Sequence, residues 1–262
     1  MTKHVVQFSG GVGSWAAARR VIDKHGPEDV VLLFADVKME DEDLYRFLDE
    51  VEADLGVPVT KVAEGRDPWE VFKDVRFLGN SRIDPCSRIL KRDFLRKYLE
   101  ANFDPEDTVI YLGIDWSEVH RLERARPLWE PWIIEAPMCE PPYIDKDEML
   151  AELESRGIRQ PRLYEMGFPH NNCGGFCIKA GQAHFKMLLE KMPERFDYHA
   201  QKEQEIREYL GNVAILRDRT KAGRAQNDGK PRPLTLLELK QQVLAQTDDT
   251  DPTDLGGCGC VV

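Results

Sequence analysis

The chain contains no apolar run near the roughly 18 residues that cross a bilayer, so no membrane-spanning helix is expected. A signal peptide's pattern is also missing. Met1-Thr2-Lys3-His4 leads directly into a strand-like run, with no long apolar stretch and no small-residue cleavage site. The expected location is therefore cytoplasmic. Basic residues are not in excess: 36 Lys and Arg stand against 47 Asp and Glu, for a net charge of −11. A general coat for nucleic acid would be basic, which disfavours non-specific binding over the whole surface but leaves room for a local basic groove. Internal repeats and low-complexity tracts are absent outside the C-terminal tail. Cysteine is sparse, at six residues. In a cytosolic chain these read as metal ligands or reactive thiols rather than disulfides.

Hydrophobic residues make up 42% of the 262 positions, enough for a real core. His4–Phe8 and Val30–Ala35 are short, β-branched or apolar runs that read as buried strands. Val57–Val62, Thr108–Ile114 and Trp132–Glu135 follow as further strands. Helices are expected at Trp15–Lys24, Asp41–Leu55, Pro68–Phe77 and Ser87–Glu100. Continuous apolar strands alternating with helices predict a parallel five-stranded sheet covered on both faces, in a Rossmann-like α/β fold. Ligands of such sheets bind beyond the carboxyl ends of the strands, where strand order reverses.

The style changes after about residue 137, where Pro137, Pro141 and Pro142 cluster. Residues 1–137 therefore read as the α/β domain and 138–262 as a mainly helical, cysteine-bearing extension. The extension is expected to hold a helix at Asp145–Arg156, a cysteine loop at 170–179 and a long helical stretch from Gly181 to Leu210. Arg217–Pro233 reads as a loop, Leu234–Ala245 as a helix, and the end as a Cys-Gly-Cys tail.

Between the first strand and the first helix lies Ser9-Gly10-Gly11-Val12-Gly13-Ser14. Glycines let a backbone approach phosphate closely, the turn's N–H groups point inward, and a helix N-terminus adds partial positive charge. The hydroxyls of Ser9 and Ser14 can donate as well. A plain strand–helix turn is the bland alternative, but it needs fewer glycines and no serines. With no lysine the loop is not a Walker-type loop, nor is it G-x-G-x-x-G. Asp36, Gly113 and Asp115 fall at the ends of later strands, where a nucleotide would meet them.

The loop resembles the S-G-G-x-D-S signature of the PP-loop ATP pyrophosphatases, whose fold includes the phosphoadenylyl-sulfate reductases. Asp36 matches the acidic residue after that family's second strand. Asp84-Pro85-Cys86-Ser87 with Lys91 is similar to the reductases' cysteine and lysine segment. Gly113-Ile114-Asp115 with Glu118 and Arg121 is similar to another of their segments. Leu163–Phe168, leading into Cys173, resembles the approach to their second cysteine group. Two departures stand out: the signature's aspartate is Gly13 here, and Pro85-Cys86-Ser87 replaces the adjacent cysteines of the cluster-bearing reductases.

Cys173 and Cys177 enclose Gly174-Gly175-Phe176, and the two glycines free the backbone to wrap both thiolates around one metal. Iron–sulfur clusters and structural zinc usually take four ligands. Cys86, Cys173 and Cys177 give three, and Cys260 or Cys258 offers the fourth. The resemblance favours a 4Fe–4S cluster, with zinc as the alternative and ordinary buried thiols as the bland reading. That bland reading suits Cys139. A tail cysteine could instead be a mobile nucleophile, as the resemblance implies.

Arg88, Lys91 and Arg121 are candidate substrate- or phosphate-binding cations, with Arg88 and Lys91 sharing a helix face at i, i+3. Arg92, Arg124, Arg126 and Lys179 have the same chemistry, and for any of them a solvated surface is the competing reading. His120 and His170 are not chosen as bases, and Trp116 suits a pocket wall or the core. The resemblance implies ATP or a related adenylyl nucleotide, with magnesium an added candidate. Expected partners are the small-molecule nucleotide, a nucleic-acid or nucleobase substrate, and a second copy in a homodimer. Three functions are open: adenylation or sulfur transfer onto a base or small molecule, reduction of a sulfonucleotide, and non-catalytic nucleotide sensing.

Overall fold

In the computed structural model, which describes residues 1–248 and 250–257, strands and helices alternate along the first half. β1 is Lys3–Gln7, α1 Val12–His25, β2 Val30–Ala35, α2 Glu42–Leu55, β3 Val59–Val62 and α3 Pro68–Asp74. A π-helical turn, Arg88–Asp93, runs into α4, Phe94–Asn102. Then come β4 Thr108–Leu112, α5 Val119–Trp129, β5 Ile133–Glu135, α6 Lys146–Ser155 and α7 Arg162–Glu165. The later part holds α8 Gln182–Lys191, α9 Pro193–Leu210, β6 Leu216–Asp218, α10 Lys221–Ala225, β7 Arg232–Leu234 and α11 Leu236–Leu244.

The chain forms two compact units. The first comprises Met1–Arg66 and Ser87–Gly174, and is built on an all-parallel sheet in the order β3-β2-β1-β4-β5. Alternate strand residues serve opposite faces. Val6, Leu32 and Phe34 pack with Trp15, Phe47 and Leu48 of α1 and α2. Val5, Leu33 and Ile110 pack on the other face with Leu99, Leu122 and Trp129 of α4 and α5. Both faces are covered, which is why the strands read as continuous apolar runs. Met138, Met149, Leu153 and Ile158, beyond the proline cluster, join the core of the α1–α2 face. Arg20 of α1 holds that cluster down by donating to the Pro137 and Glu140 carbonyls at 2.8 and 2.9 Å.

The second unit comprises Asp67–Cys86 and the chain from Gly175 onward, and is mainly helical. Three expectations need correction. The stretch 181–210 is two helices, because Pro193 lacks an N–H and opens α9 at its first position. Arg217–Pro233 is not a plain loop. It holds the antiparallel ribbon β6–β7, whose buried ends Leu216 and Leu234 pair, and α10, whose start Thr220 caps by accepting from the Gly223 N–H at 3.0 Å. Three-residue strands are too short to show a period in sequence. In the first unit α5 was unread, although Leu122, Ala125 and Trp129 give it a buried stripe.

Candidate nucleotide-binding site

From β1 the chain steps to β2 and β3 on one side, then returns to β4 and β5 on the other. Strand order therefore reverses at β1 and β4, and the register Gln7↔Leu112 makes their exit loops neighbours. Those exits carry Ser9–Ser14 and Gly113–Asp115, two of the segments singled out in the sequence. They meet backbone to backbone. A Cβ on Gly113 would lie 2.8 Å from the Ser14 N and Cα, and one on Gly13 would lie 3.1 Å from the Gly113 carbonyl oxygen. Gly13 thus stands where a side chain would push the two loops apart.

Gly10 takes a left-handed φ of 78° that glycine alone adopts readily, and a side chain there would strike Leu44 at 2.8 Å. Gly11 precedes α1 with no side chain to cap it, which leaves the helix's first amides to other acceptors. Ser14 is buried. Its hydroxyl donates to the Gly11 carbonyl at 2.7 Å, and the Ser9 hydroxyl donates to the Ser14 Oγ at 3.3 Å.

Three residues that sequence reasoning missed complete this loop. The Val12 N–H donates to the Tyr164 hydroxyl at 3.3 Å, and that oxygen lies 3.1 Å from where a Gly11 Cβ would be. Asn171, buried, donates from Nδ2 to the Gly10 carbonyl at 2.8 Å. The Lys146 ammonium lies 3.9 Å from the centre of the Tyr164 ring and donates to the Pro169 carbonyl at 2.9 Å. Burial lowers the Lys146 pKa. The segment carrying Tyr164 is pinned by two ion pairs, Arg162 to Asp41 and Arg159 to Asp43, each at 2.7 Å, and Arg46 within α2 pairs with the same Asp43 at 2.7 Å. The Arg46 guanidinium holds the Asp43 carboxyl down at about 2.

Asp36 ends β2 at the same edge of the sheet. One carboxylate oxygen accepts from the Lys38 N–H at 2.7 Å, the other from the Tyr45 hydroxyl at 3.0 Å. Burial, with Asp36 alongside, raises the Tyr45 pKa. Half-buried Lys91 sits 3.6 Å from the carboxylate of buried Glu40. Arg88 and Lys91 do not share a face as expected. The π turn widens the helix beyond 3.6 residues per turn, so Lys91 is half-buried while the Arg88 side chain is 60% exposed and lies 3.8 Å from Asp93. Arg121 donates to Glu118 at 2.6 Å, and its buried Nε has no partner among the described residues. Asp115 caps the turn after β4 through the Ser117 N–H at 2.8 Å. The Cys139 thiol donates to the Ile114 and Asp115 carbonyls, and burial pushes its pKa up, as suits a structural thiol. Trp116 is exposed and donates to the Ile144 carbonyl at 3.1 Å; His120 is exposed as well.

Around the cysteine loop the backbone is unusual. Cys173, Gly174 and Gly175 all have positive φ, at 48°, 58° and 81°. In the second unit Phe176 and Ile178, which flank Cys177, are buried, and Phe176 stacks on His199 at 3.8 Å. The Trp69 indole N–H donates to the His199 Nδ1 at 3.1 Å, and burial pushes the His199 imidazole down to about 3, so it stays neutral. Lys179 lies 3.8 Å from Asp84, just before Cys86. Among the described residues, no group of three or more His, Cys, Asp or Glu side chains is arranged to hold a metal ion. Cys258 and Cys260 lie outside the described residues.

No family model and no curated protein matches the chain. Among solved structures it is similar to a phosphoadenylyl-sulfate reductase from Candida auris in a phosphate complex. That match has 18% identity, covers 63% of this chain and 78% of the other, and has a TM-score of 0.43. It is also similar to an NH3-dependent NAD synthetase from Campylobacter jejuni, at 12% identity, 79% and 83% coverage and a TM-score of 0.41. A third is a U34-tRNA thiolase from Methanococcus maripaludis with its 4Fe-4S cluster, at 15% identity, 80% and 71% coverage and a TM-score of 0.45.

Proposed function

We propose that this chain binds ATP or a closely related adenylyl nucleotide at the Ser9–Ser14 loop. As a PP-loop type of enzyme, it would use that nucleotide to activate an oxygen of a nucleobase or small molecule for replacement by sulfur. The observation that carries the reading is the apposition of two glycine loops at the β1–β4 switch point, at the N-terminus of α1. The acceptor oxygen attacks the α-phosphorus, the bond to the bridging oxygen breaks, and pyrophosphate departs with the electron pair. A sulfur nucleophile then displaces the adenylate oxygen and AMP leaves. Loop amides and the Ser9 hydroxyl offset the charge that builds on the departing pyrophosphate. Gly13 brings no carboxylate to this loop, so any magnesium arrives with the nucleotide. Arg121 and Lys91 are the candidate cations for the substrate's phosphate or acceptor.

A 4Fe–4S cluster belongs to this reading only with the tail included, because the described residues alone do not make a metal centre. Cys86, Cys173, Cys177 and one of Cys260 and Cys258 would hold it, with zinc the alternative occupant. When bound, it would supply iron to hold the transferred sulfur.

The cysteine layout favours a second reading, a sulfonucleotide reductase. A tail thiolate attacks the sulfur of an adenylyl sulfate, giving a protein thiosulfonate and the nucleotide; a second thiol then forms a disulfide and releases sulfite. Labelled ATP incubated with protein and candidate acceptors should yield pyrophosphate and AMP in equal amounts. Sulfite from adenylyl sulfate, without pyrophosphate, would select the reductase. Tight ATP binding with neither product would leave a nucleotide-sensing module.

A further inference from the structure

The chain is acidic overall, yet its cations are unevenly spread. Between Arg217 and Arg232 there are six basic residues and two carboxylates, in a protein whose net charge is −11. These residues form one structure within the second unit, the β6–β7 ribbon with α10 at its tip. The ribbon sorts its charges. Asp218 pairs with Arg232 across the strands, accepts from the Thr220 N–H at 2.9 Å, and lies where a Gly223 side chain would be. Its neighbours in sequence, Arg217 and Arg219, alternate away from it and are exposed. Lys221 on α10 and Lys230 before β7 are exposed too. Arg224 ties the tip together by donating to the Arg219 and Gly229 carbonyls at 3.2 and 3.4 Å. Asp218 thus organises the ribbon through Arg232, and Arg217, Arg219, Lys221 and Lys230 are left for solvent, with Asp228 the one exposed carboxylate of the stretch.

We propose that this ribbon is a docking surface for the phosphate backbone of a nucleic acid. The proposal goes beyond the nucleotide site and stands whether or not the glycine loop turns over ATP. A protein partner would be met by apolar or aromatic anchors, and a lipid surface by an inserted apolar face. Residues 217–233 expose no large hydrophobic side chain. They present arginine and lysine on a polar, glycine-containing frame, the residue types that contact phosphate. A cavity of about 900 Å3 opens beside the ribbon, lined by Arg219, Thr220, Gln226 and Arg232 but also by Asp251 and Asp254. Those carboxylates repel phosphate, which confines the backbone to the ribbon and its tip.

The test is fluorescence anisotropy of the full chain with a labelled single strand of DNA and a labelled RNA hairpin, over rising potassium chloride. Binding should weaken with salt, at a slope that drops by about 3 when four single-strand contacts are removed. The quadruple variant Arg217→Gln, Arg219→Gln, Lys221→Gln and Lys230→Gln should lose at least about tenfold in affinity at low salt. Its melting temperature and its ATP-dependent thermal shift should match the wild type, which separates this result from failure of the nucleotide site. A matched control, Lys24→Gln, Lys73→Gln, Lys97→Gln and Lys191→Gln, removes four exposed cations elsewhere. No nucleic-acid binding by the wild type at low salt overturns the proposal. So does equal loss in the control, or ribbon-dependent binding of phosphatidylserine vesicles in place of nucleic acid.

Discussion

At the scale of single residues, the glycines of the loop do separable jobs, and substitution should tell them apart. Gly11 has φ −101° and ψ 161°, backbone that any residue adopts, so a side chain there costs little in strain. What it would occupy is the space 3.1 Å from the Tyr164 hydroxyl, where phosphate should lie. Gly11→Val should therefore melt within a few degrees of the wild type yet lose thermal protection by ATP. Gly113 is different, because its Cβ would press on the backbone of Ser14 at 2.8 Å. Gly113→Ala should destabilise by about 1–3 kcal/mol and lose protection as well. Calorimetry with and without ATP checks both, and full protection in Gly11→Val would remove the loop from the site. Asp36 spends both carboxylate oxygens on its own loop, through Lys38 and Tyr45. Asp36→Ala should cost about 1–2 kcal/mol for the two lost bonds and weaken ATP binding in titration calorimetry. Unchanged affinity would mean that Asp36 only shapes the β2–α2 connection. The serine and glycine density of the loop was legible because it is local. Tyr164 and Asn171 were not, because each reaches the loop from more than 150 positions away and leaves no pattern near it.

Among the elements, α9 carries a buried carboxylate that makes stability depend on pH. Glu203 is fully buried and accepts from the Ile215 N–H at 2.9 Å and the Leu236 N–H at 2.7 Å, joining α9 to β6 and α11. Burial pushes its carboxyl up to about 7, against about 4.3 in an unfolded chain. The native state therefore keeps a proton that the unfolded chain releases. Its contribution to stability is complete below the unfolded value and is lost as pH rises through about 7, with a span on the order of 3 kcal/mol. Urea unfolding across this window should show stability falling with pH. Glu203→Gln should lower stability overall, since one N–H loses its acceptor, and should flatten the slope. An equal slope in the variant would assign the titration elsewhere. The π turn teaches a similar lesson about elements. Arg88 and Lys91 satisfy helical spacing on paper, yet the wider turn half-buries Lys91 beside Glu40 and leaves Arg88 in solvent.

For the molecule as a whole, the proposed metal centre draws on segments distant in sequence. Cys86 lies far along the chain from Cys173 and Cys177, and a cluster held by them would couple folding to metal binding. Protein purified without oxygen should contain iron and absorb near the violet edge of the visible range. Cys86→Ser, Cys173→Ser and Cys177→Ser should each lose iron and melt at lower temperature. Deleting 257–262 should lower iron content if Cys260 or Cys258 is a ligand. Full iron with lost activity would make the tail a nucleophile only. Full metal content in both Cys173→Ser and Cys177→Ser would end the cluster reading.

The sequence by itself determined the parallel sheet and the composition of its first loop. Buried strands need apolar residues on both faces, and the glycines and hydroxyls of the loop stand side by side; both features are local. Only the tertiary structure decided that Gly13 and Gly113 are mutual contacts, that Lys91 faces Glu40, and that Lys146, Tyr164 and Asn171 close over the loop. It also turned a charged loop into a ribbon with Asp218 paired to Arg232 across its strands and four other cations exposed. Those outcomes depend on which distant backbones approach within about 3–4 Å, the range of packing and hydrogen bonding, and spacing along one chain does not encode that directly.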